Sequence, residues 1–325
     1  MTNKQKLGII QVRGLGDIVI ALPIAQEYHQ AGYEIYWPIC KPFISSFKET
    51  VPWINWLPVP VDGQGKFFLK TPLALLAEQG ITDWDDMLYL YQYLSSKPEK
   101  TDPDLFAMMK FDQYKYAITD VPFIKKWELS KCIVRDKSRE QALHDQVVKS
   151  ERYMVYQGRA SDVAYDIDLS SIDPAVQQIE ITAVTDNIFD WLMVLEGAEQ
   201  LILIDSVFAN LVDQLGLCKN IPKYFMRKWD RKVDGNPVFL GEWNYIPVSA
   251  PAGMEVRSIA ESKPQPQPAR QPQSQGANAG SSSQTYTPFG QSKGTMPTSF
   301  LGATEQGKRK QNSAQNLLAG LGLKQ

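Results

Sequence analysis

The segment Leu7-Gly-Ile-Ile-Gln-Val-Arg-Gly-Leu-Gly-Asp-Ile-Val-Ile-Ala-Leu-Pro23 decides the fold that this sequence predicts. Its first seven residues are mostly apolar and read as a buried strand. Gly14-Leu15-Gly16 then reads as a tight turn, and Asp17 to Gln30 as a helix that stops before Gly32. A second strand at Glu34–Trp37 completes the strand, turn, helix and strand from which parallel, doubly wound sheets are built. We therefore expect an α/β fold.

The residues after position 150 repeat this alternation of elements. The pattern predicts three strands and two helices there, namely strands at Tyr153–Gln157, Gln178–Ala183 and Leu201–Ile204 and helices at Asn187–Glu196 and Val207–Leu215. Between the two halves it predicts an aromatic helix at Asp83–Leu94, a strand at Tyr116–Thr119 and a polar helix at Ser138–Lys149. That polar helix precedes a fresh strand, which makes it the predicted bridge between two folded units.

A chain of 325 residues exceeds the usual size of one hydrophobic core. We predict two Rossmann-like domains that face a cleft, residues 1–149 and a smaller unit at 150–257, followed by a disordered tail at 258–325. The tail is rich in Pro, Gln, Gly and Ser and has too few large apolar side chains to offset the entropy of ordering. A short apolar stretch at 316–323, preceded by basic residues, is a candidate docking peptide for a protein partner.

Charge and composition exclude several classes of protein. The tail carries seven basic and two acidic side chains, whereas the whole chain has a net charge of −2, so the body is acidic and disfavours a broad nucleic-acid-binding face. Cys40, Cys132 and Cys218 lack any C-x-x-C spacing, which argues against a disulfide frame or a structural zinc site. The sequence shows no signal peptide and no apolar run of about 18 residues, so we expect a soluble, cytoplasmic protein.

Three common catalytic motifs are also absent from the sequence. The sequence contains no P-loop, no H-E-x-x-H and no G-x-S-x-G. His29 and His144 are its two histidines, and both are expected to be polar surface residues. The turn at 14–16 offers backbone amides at a helix start, which suits a phosphate or carboxylate, but Val19 stands where a dinucleotide fingerprint requires a third glycine. A nicotinamide enzyme is therefore disfavoured.

Two motifs carry more information. A strand is followed by Gly16-Asp17-Ile-Val-Ile-Ala-Leu22-Pro23, and a later strand by Asp205-Ser206-Val207-Phe-Ala-Asn210-Leu211. Their order and spacing resemble the heptosyltransferase-like glycosyltransferases, which have the two-domain GT-B fold and carry G-D-x-x-x-x-L-P and D-[S/T]-G-x-x-H-L at these places. Val207 replaces the family's glycine and Asn210 its histidine, so the identity of the donor stays open.

The resemblance implies a glycosyltransferase that moves a sugar from a nucleotide-sugar donor to a hydroxyl acceptor without a metal or other cofactor. By its position in the first motif, the resemblance implies that Asp17 is the catalytic base; a carboxylate at a helix start is stabilised as the anion, which keeps it deprotonated but makes it a weaker base. The turn at Gly14 and Gly16 would line the acceptor side, in residues 1–149, or the incoming sugar. The donor and its phosphates would be held on the side of residues 150–257 by the following residues: Arg159, Ser161, Asp205, Ser206 and Asn210.

Two alternatives remain open at this point. In the first, the acceptor is a hydroxymethylated DNA base of a virus. Phosphate contacts are then expected at the basic clusters Lys125-Lys126, Arg227-Lys228 and Arg231-Lys232. Without a DNA acceptor, these clusters are expected to be solvated edges. Alternatively, the chain is a catalytically inactive binding or scaffold protein that keeps the fold.

Two other residue patterns have simpler interpretations. Three Asp-x-Asp pairs, at 83/85, 102/104 and 166/168, are expected from composition alone and do not predict a metal site. Core packing is the expected role of the aromatic side chains Trp53, Trp56, Trp84, Tyr89, Tyr91 and Tyr93, with the stacking of sugars or bases as the alternative.

Overall fold

A computed structural model describes residues 4–61, 69–91, 109–159, 165, 167–226 and 237–246. Within these residues the strands form two sheets in which every neighbouring pair is parallel. The first sheet contains β1 (Lys6–Ile10), β2 (Glu34–Cys40), β3 (Asn55–Val59) and β4 (Met87–Tyr89). The second contains β5 (Tyr153–Tyr156), β6 (Gln177–Glu180), β7 (Gln200–Ile204), β8 (Lys223–Met226) and β9 (Asn244–Ile246).

Helices connect the parallel strands, as that arrangement requires. The α-helices of the described residues are α1 (Leu15–Gln30), α2 (Ile44–Phe47), α3 (Lys70–Glu78), α4 (Phe111–Ala117), α5 (Lys137–Val147), α6 (Leu192–Glu196) and α7 (Val207–Gln214). Segments of 3-10 helix occur at Lys41–Phe43, Trp84–Asp86, Phe123–Lys131 and Ile188–Trp191. The mixed α/β class predicted from the sequence is confirmed. None of the described helices is both long and apolar enough to cross a membrane.

The strand order reverses once in each sheet. The order is β3-β2-β1-β4 in the first sheet and β6-β5-β7-β8-β9 in the second. The chain therefore leaves β1 on one side and returns on the other at β4, and it does the same around β5 and β7. In open parallel sheets a crevice forms at the carboxyl ends of the two strands that flank such a reversal. Ligand sites are thus expected after β1 and β4 and after β5 and β7.

Helix α1 lies at the centre of the packing. Its residues Ile18 to Ala25 are all buried, including Pro23 inside the helix, so this stretch is covered on every side. The helix packs directly against α7 and against the 3-10 segment Phe123–Lys131. As a result, one hydrophobic cluster joins side chains from both sheets, and the described residues fall within one compact unit. The predicted domain boundary near residue 150 falls between α5 and β5 and stays a prediction.

Two predicted elements are wrong. In place of a helix at Asp83–Leu94, a 3-10 turn is followed by strand β4, because the Asp83 carboxylate caps the amide of Asp85 at 3.0 Å and Leu88 pairs with Ile9 of β1. In place of a strand at Tyr116–Thr119, the chain forms the end of α4 and a turn. The amide of Lys110 donates to the Gln113 side chain at 3.1 Å at the start of this helix, and burial of its aromatic side chains overrides their strand preference.

Asp112 ties the last described segment, residues 237–246, to the first half of the chain. Its carboxylate accepts hydrogen bonds from the Lys126 ammonium at 2.7 Å and from the Val238 amide at 2.7 Å. Asp112 and Lys126 are both fully buried, so the prediction that Lys125-Lys126 is a solvated edge is wrong for Lys126. The reason is that the carboxylate of α4 supplies the opposite charge that a buried ammonium needs.

Asp213 of α7 holds the same segment at a second point. Its carboxylate accepts from the Trp127 indole at 2.7 Å, from the amides of Leu240 and Gly241 at 3.0 and 2.9 Å, and from the Trp243 indole at 3.4 Å. Each donor is therefore satisfied by a negatively charged acceptor, which makes stronger hydrogen bonds than a neutral one.

The three cysteines are free. Burial raises the pKa of the Cys132 thiol to about 12 and that of the Cys218 thiol to about 11. Burial also raises the pKa of Cys40. All three side chains therefore stay in the thiol form near neutral pH, and the thiolate is the reactive form.

Replacing Asp213 by asparagine is expected to lower the free energy of unfolding by about 2–4 kcal/mol, because asparagine offers one neutral acceptor oxygen where four donors converge on a carboxylate. Urea unfolding monitored by tryptophan fluorescence measures the change. The control is Asp145→Asn, whose side chain is 68% exposed and which is expected to change the free energy by less than about 0.5 kcal/mol. Equal effects of the two substitutions would contradict the anchoring role.

Candidate functional site

The chain leaves β1 through a turn whose backbone is bonded by side chains. Gln11 is buried, and its side-chain amide donates to the backbone carbonyl of Arg13 at 2.8 Å. Tyr91, just after β4, accepts from the amides of Val12 and Arg13 at 2.8 and 3.0 Å through its hydroxyl. Side chains from both strands at the reversal therefore fix the shape of this turn.

Gly14 ends the turn and precedes α1. It has a φ of +83°, a value that side-chain-bearing residues rarely adopt. A Cβ at this position would also lie 2.5 Å from Oδ2 of Asp17, which is closer than any real contact. The backbone conformation therefore favours glycine here, and a side chain would displace the Asp17 carboxylate.

Asp17 lies in the first turn of α1 and not at its cap, which is Gly14. Its side chain is 36% exposed, and Oδ1 lies 3.1 Å from the Nζ of Lys115, which is itself only 3% exposed. Lys115 also donates to Oε1 of Gln11 at 2.7 Å and to the Leu90 carbonyl at 3.0 Å. Reasoning from the sequence missed Lys115, because it lies almost a hundred residues after Asp17 and belongs to no motif.

The second motif forms the turn between β7 and α7. The Asp205 amide continues the sheet by donating to the Met226 carbonyl at 3.0 Å. Ser206 is the N-cap of α7, and its hydroxyl accepts from the Phe208 amide at 3.3 Å. The same hydroxyl donates to Oε1 of Gln157 at 2.5 Å. Ser206 is thus held between the start of a helix and the end of β5.

Gln157 repeats the arrangement of Gln11. Its amide donates to the carbonyl of Arg159, two residues further along, at 3.0 Å. Each sheet therefore has a Gln-x-Arg turn after its first strand. In both turns the side-chain amide of the glutamine donates to the arginine carbonyl. The side-chain oxygen of Gln11 accepts from Lys115, and that of Gln157 accepts from Ser206. Neither glutamine was predicted, although the repeated Gln-x-Arg at the ends of two predicted strands is visible in the sequence.

The two motif turns meet at Gly16. A Cβ on Gly16 would lie 3.4 Å from the Asn210 side-chain nitrogen and 3.6 Å from the Val207 Cα. The first turns of α1 and α7 are therefore in contact, and the positive dipole ends of the two helices lie side by side. Such an arrangement favours an anion, because each helix start offers unpaired N–H groups.

Asn210 adds a buried acceptor to this group. The residue is only 3% exposed, and its side-chain nitrogen donates to the Ser206 carbonyl at 3.0 Å. Its Oδ1 has no hydrogen-bond partner in the described part of the chain. An unpaired buried acceptor typically costs about 1–3 kcal/mol, so a donor supplied by a ligand would remove a penalty.

Other predicted residues lie outside this group or outside the described residues. Arg159 is 77% exposed, with its Nε 3.7 Å from Oε1 of Glu180. Ser161 falls outside the described residues, as do Tyr93 and the basic residues at 227–232. Of the Asp-x-Asp pairs, the Asp83 and Asp168 carboxylates accept from amides two residues further along, while Asp102, Asp104 and Asp166 are not described.

The aromatic side chains and histidines are also placed. Trp53 and Trp56 pack against the main hydrophobic cluster, which confirms the expected core role, and Trp56 stacks on Trp37 with ring centroids 5.4 Å apart. His29 is half-buried, with its ring centroid 4.9 Å from that of Trp53, and His144 is also half-buried, so neither is a fully exposed surface residue. Among the described residues, no group of three His, Cys, Asp or Glu side chains is arranged to hold a metal ion.

Two cavities lie away from Asp17 and Ser206. One of about 400 Å³ is lined by Ser130, Ile133, Arg135, Glu196, Leu215 and Leu217. Another of about 450 Å³ is lined by residues from 49–50 and 134–139 together with Asn187. Their basic side chains are already paired: Arg135 with Glu140 and Glu196, Arg139 with Asp186 and Asp190, and Lys137 with Glu140. Among the described residues these cavities therefore offer no free cation, and the group around Asp17 and Ser206 remains the candidate site on chemical grounds.

Comparison with solved structures finds distant similarity to several enzymes. A glycosyl transferase of family 9 from Veillonella parvula is 12% identical, with 77% of this chain and 89% of that chain covered and a TM-score of 0.46. The E. coli heptosyltransferase WaaC is 13% identical, with 76% and 94% covered and a TM-score of 0.40. The UDP-GlcNAc 2-epimerase from Methanocaldococcus jannaschii is 11% identical, with 75% and 89% covered and a TM-score of 0.38.

No family model matches the sequence, and no curated protein matches it.

Replacing Gly14 by alanine is expected to destabilise the protein more than Gly32→Ala. Both glycines have positive φ, +83° and +99°, so alanine incurs backbone strain of about 1–3 kcal/mol at each. A Cβ would collide with Asp17 at position 14 but would meet nothing within 4 Å at position 32. Urea unfolding of both variants measures the difference.

Removing the Asp17 side chain tests the cause of this difference. In an Asp17→Ala background, the penalty of Gly14→Ala is expected to fall towards that of Gly32→Ala. Equal penalties at the two glycines in the unmodified protein would show that the carboxylate does not press against the turn.

Proposed function

We propose that this protein is a glycosyltransferase that transfers a sugar from a nucleoside-diphosphate sugar to a hydroxyl acceptor. The observation that carries the proposal is the contact of the two motif turns, with Gly16 beside Val207 and Asn210. Residues that lie almost two hundred positions apart in the sequence thereby form one group. The group combines a partly exposed carboxylate, two adjacent helix starts and a buried acceptor, which are the components that transfer from a phosphorylated donor needs.

The donor side of the proposed site is the turn of Asp205 and Ser206. The amides at the start of α7 can bind diphosphate oxygens, and the Ser206 hydroxyl is already oriented by Gln157. Oδ1 of Asn210 would accept a hydroxyl or N–H group of the donor. Arg159 is exposed and emerges from the end of β5, so its guanidinium can add positive charge near the phosphates.

The acceptor side is the turn that carries Asp17. In the proposed reaction the Asp17 carboxylate takes the proton of the acceptor hydroxyl as that oxygen forms a bond to the anomeric carbon. The bond between this carbon and the diphosphate oxygen breaks, and the nucleoside diphosphate leaves with the electron pair. The positive helix starts and Arg159 would stabilise the charge that develops on the leaving phosphate, usually the largest contribution to such catalysis.

Metal independence is part of the proposal. The Asp83 and Asp168 carboxylates, which belong to two of the Asp-x-Asp pairs, are occupied by local backbone amides. The two helix starts and the arginine offer the positive groups that a metal ion otherwise supplies to a leaving diphosphate. The GT-B arrangement of two domains around a cleft remains part of the same proposal.

Asp17→Asn is expected to lower turnover by a factor of about 10²–10⁴ while leaving donor binding intact, because only the proton acceptor is lost. Release of nucleoside diphosphate from UDP-, GDP- and ADP-sugars, with water or an added hydroxyl acceptor, measures turnover. A thermal shift with the same compounds measures binding. The matched control is Glu27→Gln, a carboxylate on the same helix that also pairs with a lysine, Lys125, at 3.0 Å.

The outcomes separate the candidate functions. Unchanged turnover in Asp17→Asn would exclude Asp17 as the base. A thermal shift without turnover across the whole panel, in the unmodified protein, would instead favour the binding or scaffold protein. A protein that responds to none of these compounds would contradict the proposal as a whole.

Asn210→Leu is expected to weaken donor binding without unfolding the protein. Leucine has a similar size, and the lost bond to Ser206 is offset by removal of an unpaired buried acceptor, so the free energy of unfolding should change by less than about 1 kcal/mol. A ligand at about 100 times its dissociation constant stabilises a protein by roughly 2.7 kcal/mol, and this gain should shrink in the variant. Differential scanning fluorimetry with the compound panel measures it.

Gln214→Leu is the control for Asn210→Leu. Gln214 is also buried on α7, and neither its side-chain oxygen nor its nitrogen has a hydrogen-bond partner among the described residues, but it lies at the opposite end of the helix. Its substitution should leave the thermal shift with each compound unchanged. An equal loss of the ligand-induced thermal shift in both variants would indicate an effect on helix α7 and not on ligand binding.

A further inference from the structure

We infer that Lys115 is a positioning residue that holds the Asp17 carboxylate in its working orientation. The inference rests on the proposed function, since it concerns the same carboxylate, but it assigns a role to a residue that neither motif contains. Lys115 lies on α4, in a part of the chain between the two motif-bearing stretches.

Burial of Lys115 gives the first argument. A lysine that is 3% exposed requires an opposite charge, because an unpaired buried ammonium is strongly unfavourable. Among the described carboxylates, only that of Asp17 lies within ion-pair distance of Nζ, at 3.1 Å. The fold therefore places a buried positive charge directly beneath the acid that the first motif supplies.

The hydrogen bonds of Lys115 give the second argument. An ammonium has three donors, and two of those on Nζ are used by Oε1 of Gln11 and the Leu90 carbonyl, while Oδ1 of Asp17 lies 3.1 Å away as the ion-pair partner. The buried ammonium is thus surrounded by groups of the protein itself. Lys115 would therefore act on the reaction only through Asp17 and through the Gln11 side chain, which bonds the turn at Arg13.

Comparison with the other buried pair gives the third argument. Lys126 and Asp112 are both fully buried, and the Asp112 carboxylate also binds the Val238 amide, so that pair joins two parts of the fold. In the Lys115 pair only the lysine is buried, whereas Asp17 is 36% exposed. The carboxylate thus has one oxygen fixed by a buried cation and a surface that a substrate can reach.

The pair also distinguishes the two oxygens of the Asp17 carboxylate. Lys115 holds Oδ1, which leaves Oδ2, close to Gly14, as the atom that would take the acceptor's proton.

The experiment compares Lys115→Met, Asp17→Asn, the double variant and Lys126→Met. Initial rates of nucleoside diphosphate release are measured with UDP-glucose, GDP-mannose and ADP-glucose, and urea midpoints are measured for every variant. Lys115→Met is expected to lower kcat by about tenfold or more with KM changed by less than about twofold, because it acts on the proton acceptor and not on donor binding. In the Asp17→Asn background it should lower kcat no further.

The control and the stability measurement separate positioning from a general structural role. Lys126→Met leaves a fully buried carboxylate unpaired, so it should lower the urea midpoint more than Lys115→Met does. The loss of stability caused by Lys115→Met should be smaller when Asp17 is already asparagine. A rise in KM with unchanged kcat, or equal losses of stability in both Asp17 backgrounds, would overturn the inference.

The same data distinguish failure of the inference from failure of the proposed function. If the unmodified protein releases no nucleoside diphosphate from any compound, the proposed function fails, while the urea midpoints of the four variants still decide whether Lys115 holds Asp17. If the unmodified protein is active and Lys115→Met has the same kcat, only the role of Lys115 fails.

Discussion

The close approach of α1 and α7 at Gly16 is the contact on which the rest of the structure depends. Because Gly16 has no side chain, the helix that follows β1 can lie against the helix that follows β7. A Cβ built on Gly16 would lie only 3.4–3.7 Å from atoms of Asn210 and Val207. The packing of the two helices merges the apolar side chains of both sheets into one cluster. It also brings the carboxyl ends of two strand pairs together, where parallel sheets place their ligand sites. Core and candidate site therefore have a common origin.

Elements whose pattern is local were predictable from the sequence. Strand β1, helix α1, strand β7 and helix α7 follow directly from apolar runs, glycine turns and a serine cap, and their positions agree with expectation to within a few residues. Strand β4 and helix α4 were assigned to the wrong type because their conformation is set by pairing with β1 and by burial, which a short aromatic segment does not reveal. The local sequence pattern therefore predicts secondary structure best where the long-range contacts of a segment favour the same conformation.

The residues of the candidate site also differ in whether the sequence alone could predict them. Asp17, Asp205 and Ser206 could be identified because each lies directly after a recognisable strand within a motif. Lys115 and Gln157 could not, because each acts through a partner distant in the sequence, 104 residues for the bond from Lys115 to Gln11 and 49 for the bond from Ser206 to Gln157. The residues proposed to contact a ligand lie within motifs, whereas the residues that orient them are constrained only by space and charge.

The hydrogen bonds of Asp112 and Asp213 to residues 238–241 have a consequence for how the protein is made. The bond between Asp112 and the Val238 amide spans 126 residues, so it cannot form until nearly the whole body has left the ribosome. Lys126 and Asp112 can meet early, but the backbone that completes their pairing arrives last. Because chains are synthesised from the amino terminus at about 5–20 residues per second, the Asp112 carboxylate is made about 6–25 s before the Val238 amide that it binds.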